Sequence, residues 1–330
     1  MKRSWIPIVV FVALLCWSFV DEDPHHQYSW TGKDYRVETT LLHGMYDGSY
    51  TSWYTNGQKR AAGEFKNNMR TGTWTVWDST GKMRVQRAYK NSFEYTQIFP
   101  ALPDGPAKLF GNPQCEWKYN AKGFIEYPYV WERAVMISKR VWREIPKEDW
   151  SPLFNDDRFW WIVRDAVMSG KVNLYADDEF RVKYVPPMLQ PLNSDSAVTD
   201  SIVGYKIKED WYYNSDLMLG EAVIIGICPV ATNRGSGDHF NKDLGWIYFP
   251  QLRDELAKEK ISAPGLPDYI HTFDDLFFFR YFHGNIYKES NVYDRELKEY
   301  AGGLYLKQEQ DRIEYSLIEL EHDQWLRFAQ

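Results

Sequence analysis

The stretch MYDGSYTSWYTNGQKRAAGEFKNN, Met45 to Asn68, is followed without a gap by MRTGTWTVWDSTGKMRVQRAYKNS, Met69 to Ser92. Laid over one another at a period of 24 residues, the two match Met45 with Met69, Gly48 with Gly72, Trp53 with Trp77 and Gly57 with Gly81. Phe65, Lys66 and Asn67 then fall on Tyr89, Lys90 and Asn91, while Lys59 and Lys82 match only loosely. A fixed period of this length marks stacked supersecondary units. Each unit alternates aromatic and polar residues, turns at TNGQ or STGK, and runs out through a second strand. Asn56-Gly57 supplies the positive φ that a tight turn needs, so each unit is expected to be a β-hairpin. A lone hairpin is marginal in water; neighbours must therefore stack, and YRVETTLLHG (Tyr35 to Gly44) adds a preceding strand.

The order of glycine, two spaced aromatics, turn glycine and closing aromatic resembles the MORN-type repeat over about 60 positions. That resemblance implies an elongated sheet used for docking. The competing reading is that Trp53, Trp74 and Trp77 stack on one another inside the module.

Around this module, composition sets limits. The chain has 330 residues, 44% hydrophobic and 26% charged, enough for at least one full core and about two domains. A net charge of -7 leaves no basic field for a phosphate backbone, so nucleic acid is excluded as a partner. Aromatics reach 17%, with 15 Trp and 23 Tyr, and part of that surplus suits protein or glycan contacts at a surface. MKR followed by SWIPIVVFVALLCWSFV reads as a secretory leader over residues 1–18, giving export. Lipid attachment at Cys16 and an uncleaved anchor are the alternatives. Cys115 and Cys228 could pair in an oxidising space, or Cys228, inside AVIIGICPVA, could be a buried free thiol. With no CxxC and no HExxH, neither cofactor nor metal is expected.

The repeats occupy residues 28–95, and the proline- and glycine-rich 96–129 reads as a linker. Beyond it, Val130, Ala134, Ile137, Val141 and Ile145 fall on one face of a helix that Pro146 would end. DRFWWIVRDAVMSG reads as a second helix closed by Gly170. VNLYA, IVGYKIKEDWYYN, EAVIIGICPVA and LGWIYF read as strands, the middle two joined as a hairpin through SDLMLG. Asp177, Asp178 and Glu179 read as a solvated turn. A helix is expected over Gln251 to Lys260. Thr272 with Asp275 caps another, running through Phe282 and His283 to Lys288 and Glu289. His283 on its apolar surface reads as a satisfied core histidine.

IYKESNVYDRELKEY, Ile286 to Tyr300, is too ordered for a loop and too polar for a core. It reads as a capped junction between helices, with Asn291 capping the second, Asp294 three residues on, and Gly302 and Gly303 stopping it. Lys288 and Arg295 can pair with Glu289 or Asp294 across the corner. With Tyr293, these residues form the candidate partner-binding set.

IKEDWYY, IIGICPV, WIYFPQLRDEL, TFDDLFFFRYF, IYKESNVYDRELKEY and LIELEHDQW, in this order, resemble the GldN/PorN family over about 200 residues. The resemblance implies a non-catalytic structural subunit of a periplasmic ring, peripheral to the outer membrane, in the type IX secretion and gliding machinery of Bacteroidota. It also implies self-association and binding to an outer-membrane lipoprotein and to the motor shaft. The expected fold is α+β: an all-β module of stacked hairpins, then a mixed domain over 130–330. Two other classes compete. One is a periplasmic glycan- or peptidoglycan-binding module using exposed Trp and Tyr. The other is a hydrolase built on Glu321 and His322, which as neighbours on a helix point about 100 degrees apart.

Overall fold

The computed structural model describes residues 25–328 apart from 93, 101–117, 128, 148–150, 155–157, 185–201 and 233–240. The expected leader and Cys115 lie outside the described residues. The fold is α+β; the described residues form two antiparallel sheets and four α-helices.

The repeats form a seven-stranded meander in sequence order: β1 (His25–Thr31), β2 (Tyr35–Leu42), β3 (Met45–Tyr54), β4 (Lys59–Lys66), β5 (Met69–Trp77), β6 (Met83–Asn91) and β7 (Glu94–Phe99). Its turns alternate in kind. At one end His43-Gly44 and Asn67-Asn68 make two-residue turns with positive φ at both central positions, the geometry that matches strand twist. At the other end only Gly57 and Gly81 are left-handed, each closing a wider loop in which Gly57 N donates to Tyr54 O and Gly81 N to Asp78 O. The 24-residue period reappears as buried columns: Val37, Ala61 and Val85; Tyr50 and Trp74; Phe65 and Tyr89.

The second sheet runs β14-β8-β10-β11-β13-β9, with β12 also on β11. Its strands are β8 (Val135–Pro146), β9 (Leu174–Tyr175), β10 (Ile202–Asn214), β11 (Leu219–Thr232), β12 (Asn241–Asp243), β13 (Trp246–Tyr248) and β14 (Asn285–Glu289). The helices are α1 (Arg158–Met168), α2 (Phe249–Leu256), α3 (Phe273–Phe278) and α4 (Leu304–Phe328). The long hairpin of β10 and β11 is as expected, and Cys228 is a buried free thiol within it. None of the described helices is long and apolar enough to cross a membrane.

Three expectations are corrected. The helix expected over Val130 to Ile145 is strand β8, paired with β10 along its length. Val141, Trp142 and Arg143 are all buried, so the strand is covered on both faces and lacks clean alternation. The helix begun by Thr272 has its capping box but only six residues. Arg280 takes a positive φ, and at Gly284 a Cβ would come 2.7 Å from Glu144 O, so the chain leaves the helix and pairs with β8 as β14. His283 thus sits beyond the helix, its ring packed onto Gly44 of the first two-residue turn. Asp177–Glu179 is more than a solvated turn: Asp178 accepts from Trp142 Nε1, and Asp178 O and Glu179 accept from the buried Lys208 amine.

The meander and the second sheet share a core. Helix α4 lies across one face of the meander, and the side chains there pair strand by strand with the helix. Tyr28 donates to Asp311, Tyr50 and Arg60 to Glu319, and Arg60 also to Asp323, while Arg70 pairs with Glu321. The Arg87 guanidinium lies between the rings of Tyr95 and Trp325, 4.2 and 4.1 Å from their centroids. Against the penalty of burial, His322 and Arg60 hold the Glu319 carboxyl well below its usual range. Of the expected linker, Tyr119 and Ile125 bridge to one another and are tied to the second region by Tyr119 Oη to Asp275 and Arg253 to Ile125 O.

Candidate partner-docking site

Strand β14 delivers the chain to the corner. There Asn291 organises a tight turn: its Oδ1 accepts from the backbone N of Tyr293 and Arg295, and its Nδ2 donates to Glu289 O and Arg295 O. Both the side chain's donors and its acceptor are used, which fixes the turn without a helix. Asn291 is therefore a turn residue and not the expected cap, and Asp294 sits at positive φ. A 3-10 turn over Leu297–Glu299 follows, and Gly302 and Gly303 precede α4 where a helix stop was expected. Strand pairing and the filled turn satisfy the backbone groups that a helix would have satisfied.

The candidate residues do come together. Lys288 pairs with Asp294 at 2.6 Å and lies 4.5 Å from the Trp142 ring centroid. Glu289 pairs with Arg312 of α4, whose guanidinium is held above its ordinary range by bonding to Glu309 and Glu289. Arg295 stacks over Tyr293 and Tyr300 at 4.8 and 5.3 Å. This braced base carries apolar tips out into solvent: Val292 is 96% exposed, Tyr293 75%, Leu304 84% and Tyr305 74%. Beside them runs an open groove of about 560 Å³, walled by Trp30 to Lys33 of the first meander turn and by Tyr300, Tyr305 and Arg312.

Val292, Tyr300, Leu304 and Tyr305 were outside the candidate set, because nothing in a polar 15-residue stretch marks which side chains stay bare. A second exposed pair, Tyr129 and Trp131, meets edge to face at 5.1 Å ahead of β8. Trp74 is fully buried against Phe65 and His322, so of the three candidate tryptophans of the meander only Trp53, under Arg36, and Trp77 are half-buried and reach the surface. Glu321 and His322 are likewise buried beneath the meander, with Arg70 on the carboxylate and Glu319 3.2 Å from His322 Nδ1. Their roles there are packing and pairing.

A partly open cavity of about 140 Å³ lies between the two sheets, lined by Phe65, Arg70, Arg143, Glu221, Arg280 and Leu317, among others. Burial pushes the Glu221 carboxyl up to about 7, against the bond donated by Tyr212.

The sequence signature of the family described as gliding motility associated protein GldN matches residues 130–326, which takes in β8 through α4 and the whole corner. The chain belongs to the GldN family. Membership makes it a component of the gliding motility and type IX secretion machinery, from a family of structural components, not known as catalytic, that works in the periplasm. Among curated proteins, no match to the chain is found.

Proposed function

We propose that this GldN-family chain is a structural subunit of a periplasmic ring, peripheral to the outer membrane, and that the corner from Asn291 to Tyr305 docks an outer-membrane lipoprotein of the same ring. The observation that carries this reading is the exposure of Val292, Tyr293, Leu304 and Tyr305 on a base fixed by Asn291 and two ion pairs. Exposed tyrosines on a rigid support lose little entropy on docking, and tyrosine is among the residues that dominate interface energies. Self-association and contact with the motor shaft belong to the same reading. The meander serves as a brace that holds α4, and through it the corner, at a set orientation. The test is capture of the lipoprotein from solubilised envelopes by the purified chain. Tyr293→Ala with Tyr305→Ala should abolish capture while the circular dichroism spectrum stays unchanged; full capture by that variant refutes the assignment.

A further inference from the structure

Where the meander meets the second region, a chamber remains between the packed elements. Its walls come from the meander (Phe65, Arg70), from β8 and β10 (Arg143, Trp211), from the segment that starts at Arg280, and from α4 (Leu317). None of its lining residues belongs to the corner from Asn291 to Tyr305. It is partly open and has a volume of about 140 Å³. An apolar protein cavity of about 150 Å³ takes up benzene, so one ring or a chain of several carbons fits here.

Three guanidiniums stand in these walls, each already paired with an acid. Arg70 meets Glu321, Arg143 meets Glu314 at 2.8 Å, and Arg280 bonds Glu209 at 3.0 Å, with Arg143 3.6 Å from the same oxygen. Charge is therefore balanced, but hydrogen bonds are not. Arg70 Nε, Arg143 Nε and Nη2, and Arg280 Nη1 are buried with no acceptor among the described residues. The one buried acceptor of the walls without a donor is Glu221 Oε1, and burial keeps a proton on that carboxyl up to about pH 7. The surplus is thus one of donors. A buried donor without an acceptor is costly, so an acceptor is what the walls lack. The same guanidiniums lie over rings: Arg70 over Phe65 at 5.6 Å, and Arg280 over Trp211 and Phe282 at 4.7 and 5.3 Å. An apolar chamber with a few convergent polar groups is the usual form of a small-molecule site. The guanidinium fork suits the paired oxygens of a carboxylate, and the rings suit an apolar body.

We propose that this chamber binds a small carboxylate with an apolar body, its head among Arg70, Arg143 and Arg280 and its body against Phe65, Trp211 and Leu317. The head gives acceptors to donors that have none, and the body displaces water from the rings. A neutral molecule of the same size leaves more of those donors unmet, and a cation meets three guanidiniums already in place. Because the walls come from both sheets and from α4, the bound molecule ties the meander to the second region. The site is independent of the docking assignment.

The experiment is calorimetric titration of the full chain with probes of similar size and different charge: benzoate, benzyl alcohol and benzylamine. Benzoate should bind with a millimolar or tighter constant, at least tenfold more tightly than benzyl alcohol, and benzylamine should not bind. Acetate, which has the head without the body, should bind at least tenfold more weakly than benzoate. Two variants place the site, with folding checked by circular dichroism. Arg280→Met leaves Glu209 beside Arg143 and bonded by Trp211, and should weaken benzoate at least tenfold with benzyl alcohol unchanged. Met69→Trp fills the chamber from its wall and should abolish binding of both. If Arg280→Met does not fold, Arg280→Lys keeps a charge beside Glu209 without the planar fork and carries the same expectation. Absence of benzoate binding means that the chamber holds water only and overturns the inference. Benzyl alcohol, benzylamine or acetate binding as tightly as benzoate overturns it as well, and so does benzoate affinity unchanged in either variant. Loss of lipoprotein capture counts against the proposed function alone.

Discussion

The meander and the second sheet use the same antiparallel pairing but assemble it in opposite ways. In the meander every strand pairs with its neighbour in sequence, turns are short, and the same columns of side chains recur every 24 residues. In the second sheet β8 lies between β14 and β10, strands separated from one another by some 70 residues of chain, and the covering helices come from between the strands. Local order makes the first region legible and distant pairing hides the second. The two nevertheless meet at α4, the last element of the chain, whose aromatic and ionic groups complete the core of the first. The meander therefore depends on residues more than 200 positions away, despite its repetitive order.

The largest expected effect tests that dependence. Trp325 is fully buried against Arg87, Tyr89 and His322. Trp325→Ala should cost about 3–5 kcal/mol, the usual range for removing a buried tryptophan. Urea unfolding followed by far- and near-ultraviolet circular dichroism should show one shifted transition. Two separate transitions, only one of them shifted, would mean that the meander folds without the rest.

A somewhat smaller effect is expected at the buried charges. Glu319→Ala removes the buried carboxylate partner of Arg60, leaving it only the half-exposed Asp323 carboxylate, and should cost about 3 kcal/mol. Replacing both, Arg60→Met with Glu319→Leu, should restore most of the loss in the same unfolding assay.

Between the sheets, Glu221 gives a pH signature. Its folded pKa of about 7 stands above the ordinary 4.5, so the folded state holds the proton more tightly. Stability from this group is complete below about pH 4.5, declines as pH rises, and is lost above about 7. Glu221→Gln should therefore stabilise the chain by up to about 3 kcal/mol more at pH 8 than at pH 4. Equal effects at the two pH values would contradict the burial argument.

The smallest effect belongs to the exposed turns. Gly57 has φ of 84° and open space where a Cβ would stand, so Gly57→Ala strains only the backbone and should cost about 1 kcal/mol. A thermal melt would register it as a shift of a few degrees, without loss of partner capture.

Particular residues show why the sequence was readable in some places and misleading in others. The hairpins announce themselves because Tyr50 and Trp74, or Phe65 and Tyr89, repeat the same environment. Asn67-Asn68 takes positive φ at both positions without glycine, whereas in the more familiar Asn-Gly pair at 56–57 only Gly57 does, so residue type alone does not tell the two turns apart. β8 carries a helical signal because Ala134, Ile137, Val141 and Ile145 sit at helical spacing. The contrary sign is the buried triplet Val141, Trp142 and Arg143, whose meaning appears only once β10 and β14 flank it. At the corner, the pairing of Lys288 with Asp294 is legible from the sequence. The strand and turn that make it are not, because the capping box at Thr272 forms but its helix is cut short by β14 joining β8, and Asn291 spends its side chain on a turn.

If partners meet the corner and the meander braces it, the two regions contribute unequally to the equilibrium affinity of the purified chain for the lipoprotein, measured side by side for two variants. Tyr293→Ala with Tyr305→Ala should weaken binding at least tenfold, and Trp53→Ala with Trp77→Ala on the meander less than twofold. The reverse order, with the meander variant losing the partner and the corner variant keeping it, would place the docking surface on the meander instead.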